Sequence, residues 1–141
     1  MIVMKGVPNT DIDHVWPDIV GYLDFTEERT HGALTAESIL EAIRERNMQA
    51  MVAVDEDDEI IGVAVTEIRN SPSGLRVLHI VTLAGDRFSE WQAEGDRVLR
   101  LWAQSIEAPI VQLVGRRGWV RQLEHLGWKE DAVMMTLDLR N

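Results

Sequence analysis

Leu75-Arg76-Val77-Leu78-His79-Ile80-Val81-Thr82-Leu83 is an apolar run rich in β-branched residues, and Ile110-Val111-Gln112-Leu113-Val114 is a second. Between them, the stretch from about Glu90 to Ala108 sets Trp91, Val98, Trp102 and Ile106 along one helical face, and Pro109 stops it. Ser89 with Gln92 matches a capping box at the start of that helix. Strand, helix and strand make a crossover unit, so the two strands should run parallel in one sheet. The expected fold class is therefore α/β (α+β), a mixed central sheet with flanking helices.

Working upstream, Glu59–Arg69 and Gln49–Val54 read as two more strands of a meander. The acidic turn Asp55–Asp58 joins them, and Asn70-Ser71-Pro72-Ser73-Gly74 is a strong turn before Leu75. Several consecutive positions in these strands are apolar, which implies burial on both faces of the sheet. Thr35 is a good N-cap for a helix over about Ala36–Arg46, with Glu37 near the positive end of its dipole. Thr26–Leu34 reads as a loop. Val15, Trp16, Ile19, Tyr22 and Leu23 predict an earlier helix over about Asp13–Phe25, with Pro17 in or near its first turn. A short strand, Ile2–Lys5, opens the chain. Downstream, a helix over about Trp119–Leu126 should end at Gly127, and Trp128–Glu130 with Val133–Leu139 reads as a final strand or hairpin. The predicted order is β-α-α-β-β-β-α-β-α-β.

The chain has 141 residues, which fits one domain over 1–141. It shows no repeat or low-complexity tract. With no cysteine, disulfides and thiolate metal sites are excluded. The net charge of −10 argues against broad binding to a phosphate backbone and suits attraction of a cationic substrate such as an amine. No apolar run approaches the ~20 residues needed to cross a bilayer. Met1-Ile2-Val3-Met4-Lys5 is too short for a signal-peptide core. A soluble, cytoplasmic protein is expected. Zinc spacing, a Walker loop, a Ser-His-Asp order and a Rossmann fingerprint are all missing. Five tryptophans against one tyrosine and two phenylalanines predict core packing or interface anchors.

Leu113-Val114-Gly115-Arg116-Arg117-Gly118-Trp119, followed by Leu123-Glu124-His125-Leu126-Gly127-Trp128, is the most characteristic local pattern. Together with the element order, it resembles the GCN5-related N-acetyltransferase superfamily over nearly the whole chain. The Gly-Arg-Arg-Gly-Trp and Leu-Gly-Trp words are similar to those of small members encoded by phages and prophages, some of them among virion-structure genes.

The resemblance implies acetyl-CoA as cofactor. Its pantetheine arm would pair with the backbone of Ile80-Val81-Thr82-Leu83, where the alternative is a simply buried strand. The family's pyrophosphate loop, Arg/Gln-x-x-Gly-x-Gly/Ala, falls on Ala84-Gly85-Asp86-Arg87-Phe88-Ser89. Here Arg87 and Ser89 stand at the glycine positions, Gly85 is out of register, and Asp86 sets a negative charge near the anion. An ordinary capped helix start is the competing reading of this loop. Val81, Thr82, Leu83, Gly85, Arg87 and Ser89 are the candidate cofactor contacts. Glu67, late in its strand, and His79, on the neighbouring strand, are the candidate bases that would take a proton from an amine. The tyrosine that often protonates the leaving thiolate is matched here by Leu123, and the single tyrosine, Tyr22, belongs to the first helix. Arg116, Arg117 and Arg121 form a small basic group suited to a phosphate or an acidic partner.

Two functions follow. One is an acetyl-CoA-dependent N-acetyltransferase acting on a small amine or a protein amino group. The other is a catalytically silent member retained as a phage virion or assembly component, with phage structural proteins as partners in virion or host cytoplasm. Exposed tryptophans would mark the second and a cleft between the central strands the first. A homo-oligomer fits either. Neither a membrane nor nucleic acid is an expected partner.

Overall fold

The computed structural model describes residues 1–140. Five strands form one sheet in the order of the chain: β1 (Val3–Val7), β2 (Gln49–Val54), β3 (Ile60–Asn70), β4 (Arg76–Gly85) and β5 (Ile110–Leu113). The first four are antiparallel and β4 pairs with β5 in parallel. The crossover that requires this is the long helix α4 (Phe88–Ser105).

Each face of the sheet carries its own core. On one face Met4, Ala64, Leu78 and Ile80 pack against Trp91, Leu99 and Ala103 of α4. On the other Val52, Val63, Val65 and Val81 pack under α1 (Ile12–Ile19) and α3 (Ala36–Arg44) through Ile12, Ile19, Ile39 and Ile43. The unbroken apolar runs of β2 to β4 are thus filled from both sides, as their composition implies. Thr35 caps α3 by accepting from the Ser38 N–H, and the Ser38 hydroxyl accepts from the Thr35 N–H. Gly127 stops the helical segment after α5 (Gly118–Leu123) with φ 96°.

Several expectations need correction. The first helix is two helices. α1 ends at Ile19, a 3-10 turn over Val20–Leu23 follows, and α2 (Asp24–Arg29) continues into the stretch expected to be loop. The tighter turn re-phases the chain so that Thr26 faces the sheet, its Oγ1 2.7 Å from Thr82 Oγ1. Pro17 lies in the interior of α1, not its first turn, and removes a helix hydrogen bond there. Ser89 is not the cap of α4. Arg87 is, in a left-handed conformation with φ 54° and no side-chain cap bond. The chain is drawn in early because the Asp86 N–H donates to Ile61 O at 2.7 Å and Trp91 Nε1 donates to Asp86 O at 2.9 Å.

The final hairpin is also absent. Residues 128–140 contain no strand, and Val133, Met134, Met135, Leu137 and Leu139 are exposed. Lys129-Glu130-Asp131-Ala132 holds no glycine, proline or asparagine to set a tight reversal against β5.

Candidate functional site

β3 and β4 fall out of step between Val65 and Thr66. Val65 pairs with Thr82 and Thr66 with Ile80, so Val81 is an extra residue in β4. Such a bulge puts two successive side chains on one face and bends the strand. Val81 accordingly joins the core beneath α1 and α3, and Thr82 beside it meets Thr26 of α2. Parallel pairing with β5 ends at the same level, at Ile80 and Leu113, while β4 runs on to Gly85. The β5-side edge of Val81–Gly85 therefore has no strand partner. The two offsets together create free backbone at the centre of the sheet, where it is normally saturated.

On the α4 side of that edge, Ile80, Leu83, Phe88, Leu99, Leu123 and Trp128 line a narrow apolar cleft. A larger cavity of about 660 Å³ lies on the far side of β5, against α5 and residues 128–134. Gln112 lines this cavity, whereas Glu67, His79 and Val81–Leu83 do not.

The opposite face carries a polar row. Glu67 of β3 pairs with His79 of β4, and His79 with Gln112 of β5. Directly paired residues project to the same face, so the three side chains are neighbours. Glu67 accepts from Arg69 Nε at 3.0 Å and is partly exposed. His79 is 7% exposed and its Nδ1 has no hydrogen-bond partner. Burial pulls this imidazole down to about 4, with Arg69 and Arg29 reinforcing the shift and Glu67 opposing it. It is a neutral acceptor at pH 7. Glu67 and His79, named from separate strands in the sequence, thus stand side by side. Arg29, which no sequence pattern singles out, reaches from α2 to Val81 O at 3.0 Å.

The stretch Gly85–Ser89 is arranged differently. Gly85 faces Gly62 across the strands, and a Cβ on Gly85 would lie 2.5 Å from Gly62 Cα and 3.1 Å from the Trp91 ring. Close approach of the β3 backbone at Ile61 and Gly62 therefore requires this glycine. Arg87 contacts three carboxylates: Glu90 at 2.7 Å, Glu56 at 3.3 Å and Asp55 at 4.0 Å. Asp86 accepts from the Tyr22 hydroxyl at 3.1 Å. Burial, with Asp86 beside it, pushes the tyrosine up. The free β4 edge fits the amide groups of a pantetheine arm. The start of α4, with its guanidinium already engaged and carboxylates around it, is a poor fit for a pyrophosphate. Leu123 is buried in the apolar cleft and offers no proton. Arg116, Arg117 and Arg121 are exposed, and the Arg116 guanidinium lies 3.5 Å over the Phe25 ring of α2.

No tryptophan forms an exposed patch. Trp91 is fully buried, and Trp16, Trp102, Trp119 and Trp128 are each half-buried. Trp119 meets Phe88 edge-on at 4.7 Å, and Trp128 donates to Asp96 at 2.7 Å. Among the described residues no helix is long and apolar enough to cross a membrane. No group of acids and histidines among them is placed to hold a metal.

No protein-family model matches the sequence, and no curated protein matches it. Solved structures do match across their whole length. An acetyltransferase from Trypanosoma brucei superposes with a TM-score of 0.63 at 18% identity, covering 99% of this chain and 100% of the other. A glucosamine-6-phosphate N-acetyltransferase from Arabidopsis thaliana gives 0.63 at 17% identity, covering 99% of each. A ribosomal-protein-alanine N-acetyltransferase from Brucella melitensis biovar Abortus 2308 gives 0.68 at 14% identity, covering 98% and 99%. The five-stranded mixed sheet, its parallel β4–β5 pair and its flanking helices are thus those of the GCN5-related N-acetyltransferase fold.

Proposed function

We propose that this protein is an acetyl-CoA-dependent N-acetyltransferase whose acceptor is a small amine or a protein amino group. The observation that carries this reading is the unpaired β4 edge at Val81–Leu83 beside the Glu67–His79–Gln112 row. Acetyl-CoA would supply an acetyl thioester; as the C–N bond forms the C–S bond breaks, the amine loses a proton and the thiolate gains one. The β5-side edge of Val81–Leu83 would hold the amides of the arm, while Arg87, engaged by three carboxylates, leaves the Gly85–Ser89 stretch without a free cation for its phosphates. Glu67 takes the proton of the amine, directly or through water, and Arg69 holds its carboxylate in place. His79, neutral at pH 7, stands beside Glu67. The acceptors named for the neighbours include a sugar phosphate and a ribosomal protein. The fold accommodates both kinds and does not choose between them.

Calorimetric titration with acetyl-CoA, and with desulfo-CoA as a second ligand, tests the reading. Saturable binding at micromolar strength is expected. Glu67→Gln should then lower turnover of amines by about a hundredfold or more. Absence of heat up to millimolar ligand would overturn the proposal.

One set of observations favours a second reading. Three carboxylates hold Arg87, and Leu123 stands where a proton donor is wanted. A phage protein that kept the fold and lost the chemistry would show both features. The exposed apolar segment Val133–Leu139 would then be a contact surface for other virion or assembly proteins.

A further inference from the structure

Arg29 is the one arginine among the described residues that is not exposed. Among the described residues the arginines in ion pairs are Arg44, Arg69, Arg87, Arg97, Arg100 and Arg140, and Arg29 is not one of them. A guanidinium withdrawn from water without a counter-ion is costly. Val81 O satisfies one of its five N–H donors. That oxygen belongs to the extra residue of the β4 bulge, so Arg29 is fixed beside the free strand edge.

Arg29 lies on the same face of the sheet as Glu67 and His79, and its charge contributes to the depressed basicity of His79. Phe25, one helical turn earlier on α2, carries the Arg116 guanidinium, which also has no ion pair among the described residues. Glu67 is engaged by Arg69 at 3.0 Å, and the acids of α2, Asp24, Glu27 and Glu28, are exposed and form no ion pair with Arg29 among the described residues. Arg29 thus keeps N–H donors without a partner beside the central strands.

We propose that the amine acceptor carries a carboxylate and that Arg29 receives it. The proposal rests on the N-acetyltransferase reading of the site. The planar fork of a guanidinium matches a carboxylate with two parallel hydrogen bonds, which an ammonium cannot reproduce. The amine then faces Glu67 and His79 while the carboxylate faces Arg29, so the acceptor is of the amino-acid class.

The experiment has two arms. The first measures acetyl-CoA-dependent release of free thiol with alanine against alaninamide and glutamate against its diamide. The acid should exceed its amide in kcat/KM by at least about tenfold, and Arg29→Gln should bring that ratio close to one. The second titrates the protein alone with the same compounds and follows the Arg29 Nε–H resonance, assigned by its loss in Arg29→Lys. The acids should shift it and the amides should not. Turnover without preference and without a shift overturns the proposal and leaves the acetyltransferase reading intact. A shift by the acids with no turnover of any amine supports the carboxylate site and overturns the acetyltransferase reading. A ratio that responds to Arg29→Gln only when succinyl-CoA replaces acetyl-CoA overturns the proposal in favour of a carboxylate on the acyl group.

Discussion

His79 shows how position converts an ordinary residue into a sensitive one. Its sequence neighbours, Leu78 and Ile80, are fully buried core residues. Only the pairing with Glu67 and Gln112 sets the imidazole in a polar row, and burial then holds it neutral. The consequence for stability has a definite sign. In the unfolded chain the ring takes up a proton near 6.5, and in the folded protein only near 4. Between those values the unfolded state binds more protons, so stability falls as the pH drops from 6.5 towards 4. The loss amounts to at most about 3 kcal/mol. Denaturant melts of wild type and His79→Gln across this range should converge as the pH falls. Parallel curves would refute the assignment. Trp91 is a second case. Gly62, Gly85 and Gly95 border its ring, and at Gly62 a Cβ would lie only 2.5 Å from it.

At the scale of elements, capping is the clearest link between sequence and structure. Thr35 and Ser38 satisfy each other's backbone N–H at 3.0 and 2.9 Å, and α3 places Ile39 and Ile43 in the core from that start. Thr35→Ala should cost about 1 kcal/mol, and Thr35→Asp should restore most of it, read as shifts in the urea midpoint. α4 offers a contrast. Its start depends on Asp86 and Trp91 rather than on a hydroxyl, so the local Ser-x-x-Gln word is present and unused. In α1, Pro17 is tolerated because Ile12 and Ile19, both fully buried, anchor the helix to the sheet on either side of it.

At the scale of the whole molecule, β1 and β5 are the two edges of the sheet, and β5 is the shorter. β5 has four residues, and residues 128–140 do not pair with it. The tail instead leaves Met135 and Leu137 at 91% and 83% exposure. Residues so placed contribute little to folding. Met135→Glu with Leu137→Glu should change stability by no more than about 0.5 kcal/mol in a thermal melt of dilute protein. A larger loss would mean that these side chains are buried against the free edge of β5 or against another copy.

The sequence by itself determined the class and most of the elements, but not the split of the first helix, the start of α4 or the strandless tail. Runs of valine and isoleucine placed β2, β3 and β4, the helix between two strands required a parallel pair, and Thr35 and Gly127 marked their helix ends. These signals are local, since each depends on periodicity, a cap or a backbone conformation within one segment. The Leu-Gly-Trp word and the element order were enough to suggest the fold that the solved structures share. What only the tertiary structure decided is registration between segments. The bulge at Val81, the adjacency of Glu67 and His79, the reach of Arg29 to β4, the carboxylates around Arg87 and the unpaired tail all depend on which residue lies opposite which. A shift of one residue would have sent each side chain to the other face of the sheet, and nothing within a single strand or helix fixes that offset.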